Sequence, residues 1–204
     1  ECVFVLSRNG AVKMKISRPD SYLFSENSRF KPTNVVVTAG NIIYVVGEGS
    51  YEGIMQFNEE GEFQGYYAAN TARITLLEKI QELIFTQEQL NRLFKRTPRA
   101  IQNIDITEND LLYSVTQDAG ISFSWREAQE SEDNNVKLHN LAGQDILNTS
   151  NDMVDEWNFV DIAAGQYGNC YALTYTGLIN EYDSEGNLIF SFGGRAVSSE
   201  RSGL

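Results

Sequence analysis

The chain has 204 residues, of which 42% are hydrophobic, and a formal net charge of −12. That length and apolar content can bury a full core in one large or two small domains. The charge argues against nucleic acid, whose phosphates are held by clustered Lys and Arg, and against an anionic membrane surface.

No apolar run approaches the length of a membrane span, and no signal peptide is present. The first residue is Glu1, and it leads straight into a strand pattern over 2–6, so the chain reads as an excerpt of a longer polypeptide from which targeting information is missing. Cys2 and Cys170 both fall in strand patterns, where a free Cys behaves as a small buried hydrophobe; a bridge between them is the alternative. Two Cys and one His at these separations make no metal site.

Taken in order, the chain opens with CVFVLSRNG, ending at the turn glycine Gly10, and a second strand follows over 11–17. The stretch NVVVTAGNIIYVVGEGSYEGIMQFNEEGEFQGYYAAN, residues 34–70, then reads as a four-stranded unit with strands over 34–38, 42–46, 54–58 and 63–67. Short β-branched and aromatic runs punctuated by Gly and Asn are what a strand meander looks like. The unit recurs. NVVVTAGNIIYVV lies over NIDITENDLLYSV (103–115) without a gap, matching Tyr44 to Tyr113. A third copy, VDIAAGQYGNCYAL (160–173), places Tyr171 in the same position after a turn two residues longer. Four segments, CVFVLSRNG, GIMQFNEEG, NVKLHNLAG and LINEYDSEG, each end in a turn glycine followed by a strand.

Four-stranded units of about 40 residues, none able to bury both faces of its sheet alone, identify an all-β fold, a β-propeller of four-stranded antiparallel blades. The expected organisation is one partial propeller over 1–204: a half blade at 1–17, a blade at 34–70, a helical insert at 71–97, a blade at 100–148 with an acidic loop at 121–134, and a blade at 159–194. That is roughly three and a half blades. The blades lack the Trp-Asp dipeptide of WD40 repeats and the double glycine of kelch repeats. Their Ile-Tyr-Val-Val second strand and Gly-Ile-X-X-Phe-Asn-X-X-Gly-Glu-Phe hairpin, with the turn Tyr182-Asp183-Ser184-Glu185-Gly186-Asn187-Leu188, resemble the NHL repeats of bacterial six-bladed propellers. Such propellers include both enzymes and binding platforms, so the resemblance implies a fold more than an activity.

Three inserts interrupt the spacing. In residues 71–97, Ile74, Leu77, Ile80 and Ile84 fall at helix spacing, and Thr86-Gln87-Glu88-Gln89 is similar to a capping box opening a second helix with Leu90, Leu93 and Phe94. Thr97-Pro98 ends it. Residues 121–134 carry Trp125 and the acidic run Glu127, Glu130, Glu132, Asp133, and residues 148–158 carry Asp152, Asp155, Glu156 and Trp157. In a four-stranded meander the second-to-third and blade-to-blade links emerge on one side of the disc, and all three inserts are links of those kinds. One side is therefore expected to be elaborated, and function concentrates on such loops.

Lactonases of the six-bladed superfamily hold a central cation on Glu, Asn and Asp. The search for such ligands finds Asp105 and Asp161 at first-strand positions expected to be equivalent, with Val36 in that slot of the plainest blade. Two carboxylates on neighbouring blades suit a hard cation such as Ca²⁺; the competing reading is that each satisfies donors between blades. His139, the only histidine, occupies the third-strand slot of Leu6, Phe57 and Tyr182, which favours a structural role over general-base work. There is no Gly-X-Ser-X-Gly elbow, no phosphate-binding glycine loop, and no Asp-X-Asp-X-Asp-Gly calcium spacing in the acidic run. Tyr51, Trp125, Trp157 and Tyr175 are projected onto the elaborated side, as a stacking surface for peptide or sugar or as packing for the inserts.

The leading expectation is a non-catalytic module that binds a protein, peptide or carbohydrate on the elaborated side, without a cofactor. The resemblance to bacterial NHL-repeat proteins places it outside the cell or at the cell envelope. A metal-dependent hydrolase of the lactonase type is the alternative, and a scaffold whose open faces pair with the rest of its own chain or with a second copy is the third reading.

Overall fold

A computed structural model of the chain describes residues 1–24, 28–48, 52–68, 100–117, 136–147 and 159–194. Most of each expected insert, with the helices over 71–97, the acidic loop over 121–134 and the 148–158 link, lies outside the described residues, as do Tyr51, Trp125 and Trp157.

Among the described residues thirteen strands follow in chain order: β1 (Val3–Leu6), β2 (Val12–Ile16), β3 (Pro32–Val37), β4 (Ile43–Gly47), β5 (Ile54–Phe57), β6 (Phe63–Tyr67), β7 (Ala100–Ile106), β8 (Leu112–Gln117), β9 (Val136–His139), β10 (Phe159–Ala164), β11 (Cys170–Thr174), β12 (Leu178–Tyr182) and β13 (Leu188–Gly193). They form antiparallel meanders in the orders β1-β2, β3-β4-β5-β6, β7-β8-β9 and β10-β11-β12-β13. The chain is an all-β propeller, and these four sheets are its successive blades.

Three separate apolar cores account for the stacking, each lying between two adjacent sheets. Ile16, Phe30, Ile43, Val45, Met55 and Phe57 join the first sheet to the second. Tyr44, Val46, Ile54, Tyr67, Ile104 and Leu112 join the second to the third, and Tyr113, Val115, Leu138, Ile162, Cys170 and Tyr182 join the third to the fourth. Alternation along each strand sends one set of side chains to the preceding blade and the other to the next. Ile43 and Val45 therefore face the first blade while Tyr44 and Val46 face the third.

The turns opposite the inserts are copies of one design. In Ser7–Ala11, Asn58–Glu62, Asn140–Gln144 and Asp183–Asn187 the first residue's amide donates to the fifth carbonyl, and the fourth amide donates back to the first carbonyl. Gly10, Gly61, Gly143 and Gly186 occupy the fourth position at φ between 76 and 84°, the left-handed region that glycine enters without strain. The side chains of Asn58, Asn140 and Asp183 accept the fifth amide and lock the loop.

Two expectations need correction. Among the described residues the third blade has no full fourth strand after Gly143. Asp145 makes a single bridge to His139, Ile146 N–H donates to the Leu138 carbonyl at 2.7 Å, and the Asp145 carboxylate accepts the amides of Leu138 and Leu147, which curls the chain. The first-to-second turn of the last blade is also no longer than the others. The pairs Val37↔Ile43, Ile106↔Leu112 and Ala164↔Cys170 enclose residues 38–42, 107–111 and 165–169, five each.

Candidate functional site

That equal turn length changes which residues share a slot. Val36, Asp105 and Ala163 pair with Tyr44, Tyr113 and Tyr171, whereas Asn34, Asn103 and Asp161 pair with Val46, Val115 and Leu173. Asp105 and Asp161 are therefore not equivalent, and Asp161 stands in the Asn34 and Asn103 slot, two residues nearer the start of its strand. The misalignment came from the two-residue gap placed in that turn: without it Asp161 lies ten residues before Tyr171, as Asn34 does before Tyr44 and Asn103 before Tyr113.

In their true register these residues form a ladder across the three inner strands β3, β7 and β10. The Asn34 amide nitrogen donates to the Asn103 side-chain oxygen and to the Ile104 carbonyl (2.8 Å), and the Asn103 amide nitrogen donates to an Asp161 carboxylate oxygen. Each acceptor also receives the next amide of its own strand, Ile104 N–H to Asn103 (2.9 Å) and Ile162 N–H to Asp161 (2.8 Å). Asp105 makes a second tie. One oxygen accepts Ile106 N–H at 2.9 Å and the other accepts Ala164 N–H of the next blade at 2.8 Å. A third tie runs from Ala39 N–H to Asp110 at 2.9 Å. Both candidate carboxylates thus hold blades together, and among the described residues no three His, Cys, Asp or Glu side chains cluster as a metal site would require. Asn34 and Asn103 escaped the sequence reading, although their alignment in the repeat was the available signal.

His139 is buried, with Nε2 2.8 Å from the Ser114 hydroxyl and its ring edge-on to Tyr67 of the preceding blade. Burial pulls its pKa down to about 4, against the opposing attraction of Asp145, so at neutral pH it is an uncharged packing residue. Cys2 and Cys170 are both free, and burial pushes the Cys170 thiol up to about 12. Neither the imidazole nor that thiol is poised as base or nucleophile.

The open feature is a cleft of about 380 Å³ lined by Cys2, Val3, Phe4, Pro32, Thr33, Asn34 and Val35. It separates β1 from β3 because the first blade has two strands; among the described residues β1 pairs only with β2, leaving its other edge free. Val35 and Val37, facing the first blade, are 42% and 51% exposed, while Val36 between them is buried in the opposite core. Both strands lining the cleft enter from the side on which the inserts attach. Tyr175 stands on that same side, 77% exposed in the short β11–β12 turn closed by Gly177 N–H to Thr174 O at 3.0 Å.

No protein-family model and no curated protein matches the chain. Among solved structures it is similar to one described as YCF48 bound to D1 peptide, at 9% sequence identity and a TM-score of 0.37. The similarity covers 82% of this chain and 42% of that one, so the chain spans less than half of that structure's length. At that TM-score nothing about the function of this chain follows from it.

Proposed function

We propose that this chain is a non-catalytic protein- or peptide-binding module with NHL-type blades, and that it binds on its elaborated side. The observation that carries the reading is the one-sidedness of the molecule. All seven hairpin turns on one side are five-residue turns, whereas the segments over 25–27, 49–51, 69–99, 118–135, 148–158 and 195–204 all attach on the other. A rigid stack with every long connection at one end is how binding loops are held. The cleft beside β1 opens on that end, and its chemistry suits an extended segment: a free strand edge offers backbone hydrogen bonds, and Val35 and Val37 offer contacts to alternate apolar side chains. Tyr175, exposed on the same side, would supply an aromatic anchor there; Tyr51, Trp125 and Trp157 lie outside the described residues. The NHL assignment draws on the Asp183–Asn187 turn, and a setting outside the cell or at its envelope draws on the same resemblance.

Selection of peptides from a random display library tests this. Peptides that bind the wild-type chain are expected to lose about tenfold or more in affinity on Val35→Glu and on Tyr175→Ala, with melting temperatures unchanged, since both side chains are exposed. Equal binding by wild type and both variants would sink the proposed site. A calcium-dependent rise in melting temperature that vanishes in Asp105→Ala would instead favour the metal-dependent hydrolase.

A further inference from the structure

The two terminal sheets expose opposite halves of the interface that the chain builds three times internally. On the fourth blade, Tyr171 and Leu173 occupy the slots of Tyr44 and Tyr113 and of Val46 and Val115, which in the earlier blades are 0 to 3% exposed because the next blade covers them. Cross-strand register extends this next-facing surface to Ile179 and Glu181 of β12 and to Phe190 and Phe192 of β13. Phe190 is 58% exposed and stacks on Phe192 at 5.9 Å. On the first blade, Leu6 holds the slot of Phe57, His139 and Tyr182, and Phe4 that of Met55. In the later blades these positions face the preceding blade and are 1 to 4% exposed; here Phe4 and Leu6 are 53% and 55% exposed. Val12 and Lys15 lie beside them as the cross-strand partners of Leu6 and Phe4.

We propose that these two surfaces dock on each other between copies of this chain, head to tail: β1 and β2 of one copy pack against β12 and β13 of another. Three features select a second copy as the occupant. The contact repeats the face-to-face pairing that joins blades one to two, two to three and three to four. Both surfaces center on large apolar side chains. Their strand charges are complementary, Lys15 on the first-blade face against Glu181 on the fourth-blade face. A contact between two different surfaces is heterologous, so association proceeds to a ring or an open chain rather than an isologous pair.

Sedimentation velocity of the 204-residue chain, from about 1 to about 100 µM, reads the outcome. Wild type is expected to associate with rising concentration, and less at high salt, as an interface containing charge pairs should. Leu6→Glu and Phe190→Glu should each sediment as monomers, because each blocks one of the two surfaces. Mixed in equal amounts, they should form a heterodimer that grows no further, since each brings the intact surface the other needs. Circular dichroism and melting temperature check that both variants are folded. The proposal is overturned by a wild-type monomer across the range, by self-association of either variant alone, or by failure of the two folded variants to pair.

Discussion

His139 shows how one side chain ties the stability of this molecule to pH. Its folded pKa, near 4, lies below the ordinary value of 6.5 because burial opposes the charged form. Above 6.5 the ring is neutral in both states and its contribution is complete. As the pH falls below 6.5 the unfolded chain takes up a proton that the folded chain refuses until about 4, so stability is lost through that window. Between pH 6.5 and about 5 the expected loss is about 2 kcal/mol. The side-chain carboxylates of the unfolded chain titrate mostly below that window, and there is no second histidine to share it. Urea unfolding midpoints at pH 7 and about 5 should fall for wild type and stay level for His139→Gln, whose amide can still reach the Ser114 hydroxyl. The same slope in both proteins would remove His139 as the cause. The slot itself was legible in the sequence, because Leu6, Phe57 and Tyr182 align with it. The partners Ser114 and Tyr67 were not, since they come from another strand and another blade.

At the scale of the strand, blades are joined by polar ties along their inner edges as well as by apolar faces. The Asn34–Asn103–Asp161 ladder depends on Asn103 acting at once as acceptor from one blade and donor to the next. Asn103→Asp abolishes the donated bond and sets a carboxylate against that of Asp161. The variant should lose about 1 to 3 kcal/mol at pH 7, and part of the loss should return near pH 4, where one of the two carboxyls can hold a proton. Urea midpoints measured at both pH values decide it, and a variant as stable as wild type at pH 7 would show that the ladder contributes nothing. Strand content, turn positions and blade repetition could be read from the sequence because Gly10, Gly61, Gly143 and Gly186 punctuate it with local chemistry. Register at β10 was legible as well, in the ten residues that separate Asp161 from Tyr171, Asn34 from Tyr44 and Asn103 from Tyr113; allowing a longer turn there exchanged Asp161 for Ala163. The stub after Gly143 was not legible, because what curls the chain there is the Asp145 carboxylate accepting the amides of Leu138 and Leu147, and strand patterning carries no sign of a side-chain contact.

The whole molecule is a stack in which each core belongs to one pair of neighbouring sheets, so stability is distributed as in a linear array. Among the described residues the second and third blades each have a core on both faces, whereas the first and fourth have one. Opening an end sheet breaks one interface; opening an inner sheet breaks two. Burial follows the same gradient. Val45, Val46 and Val115 are fully buried on β4 and β8, while β13 is exposed along most of its length and β1 alternates exposed Phe4 and Leu6 with half-buried neighbours. Native-state hydrogen exchange should therefore rank the amides of β4 and β8 as the slowest, with those of β1, β2 and β13 faster by about tenfold or more. The monomeric Leu6→Glu chain is the sample to use, because docking between copies would protect the ends and flatten the gradient. Equal protection in all four sheets of that monomer would mean that the stack opens as one unit, with coupling between blades strong enough to erase the difference between one interface and two.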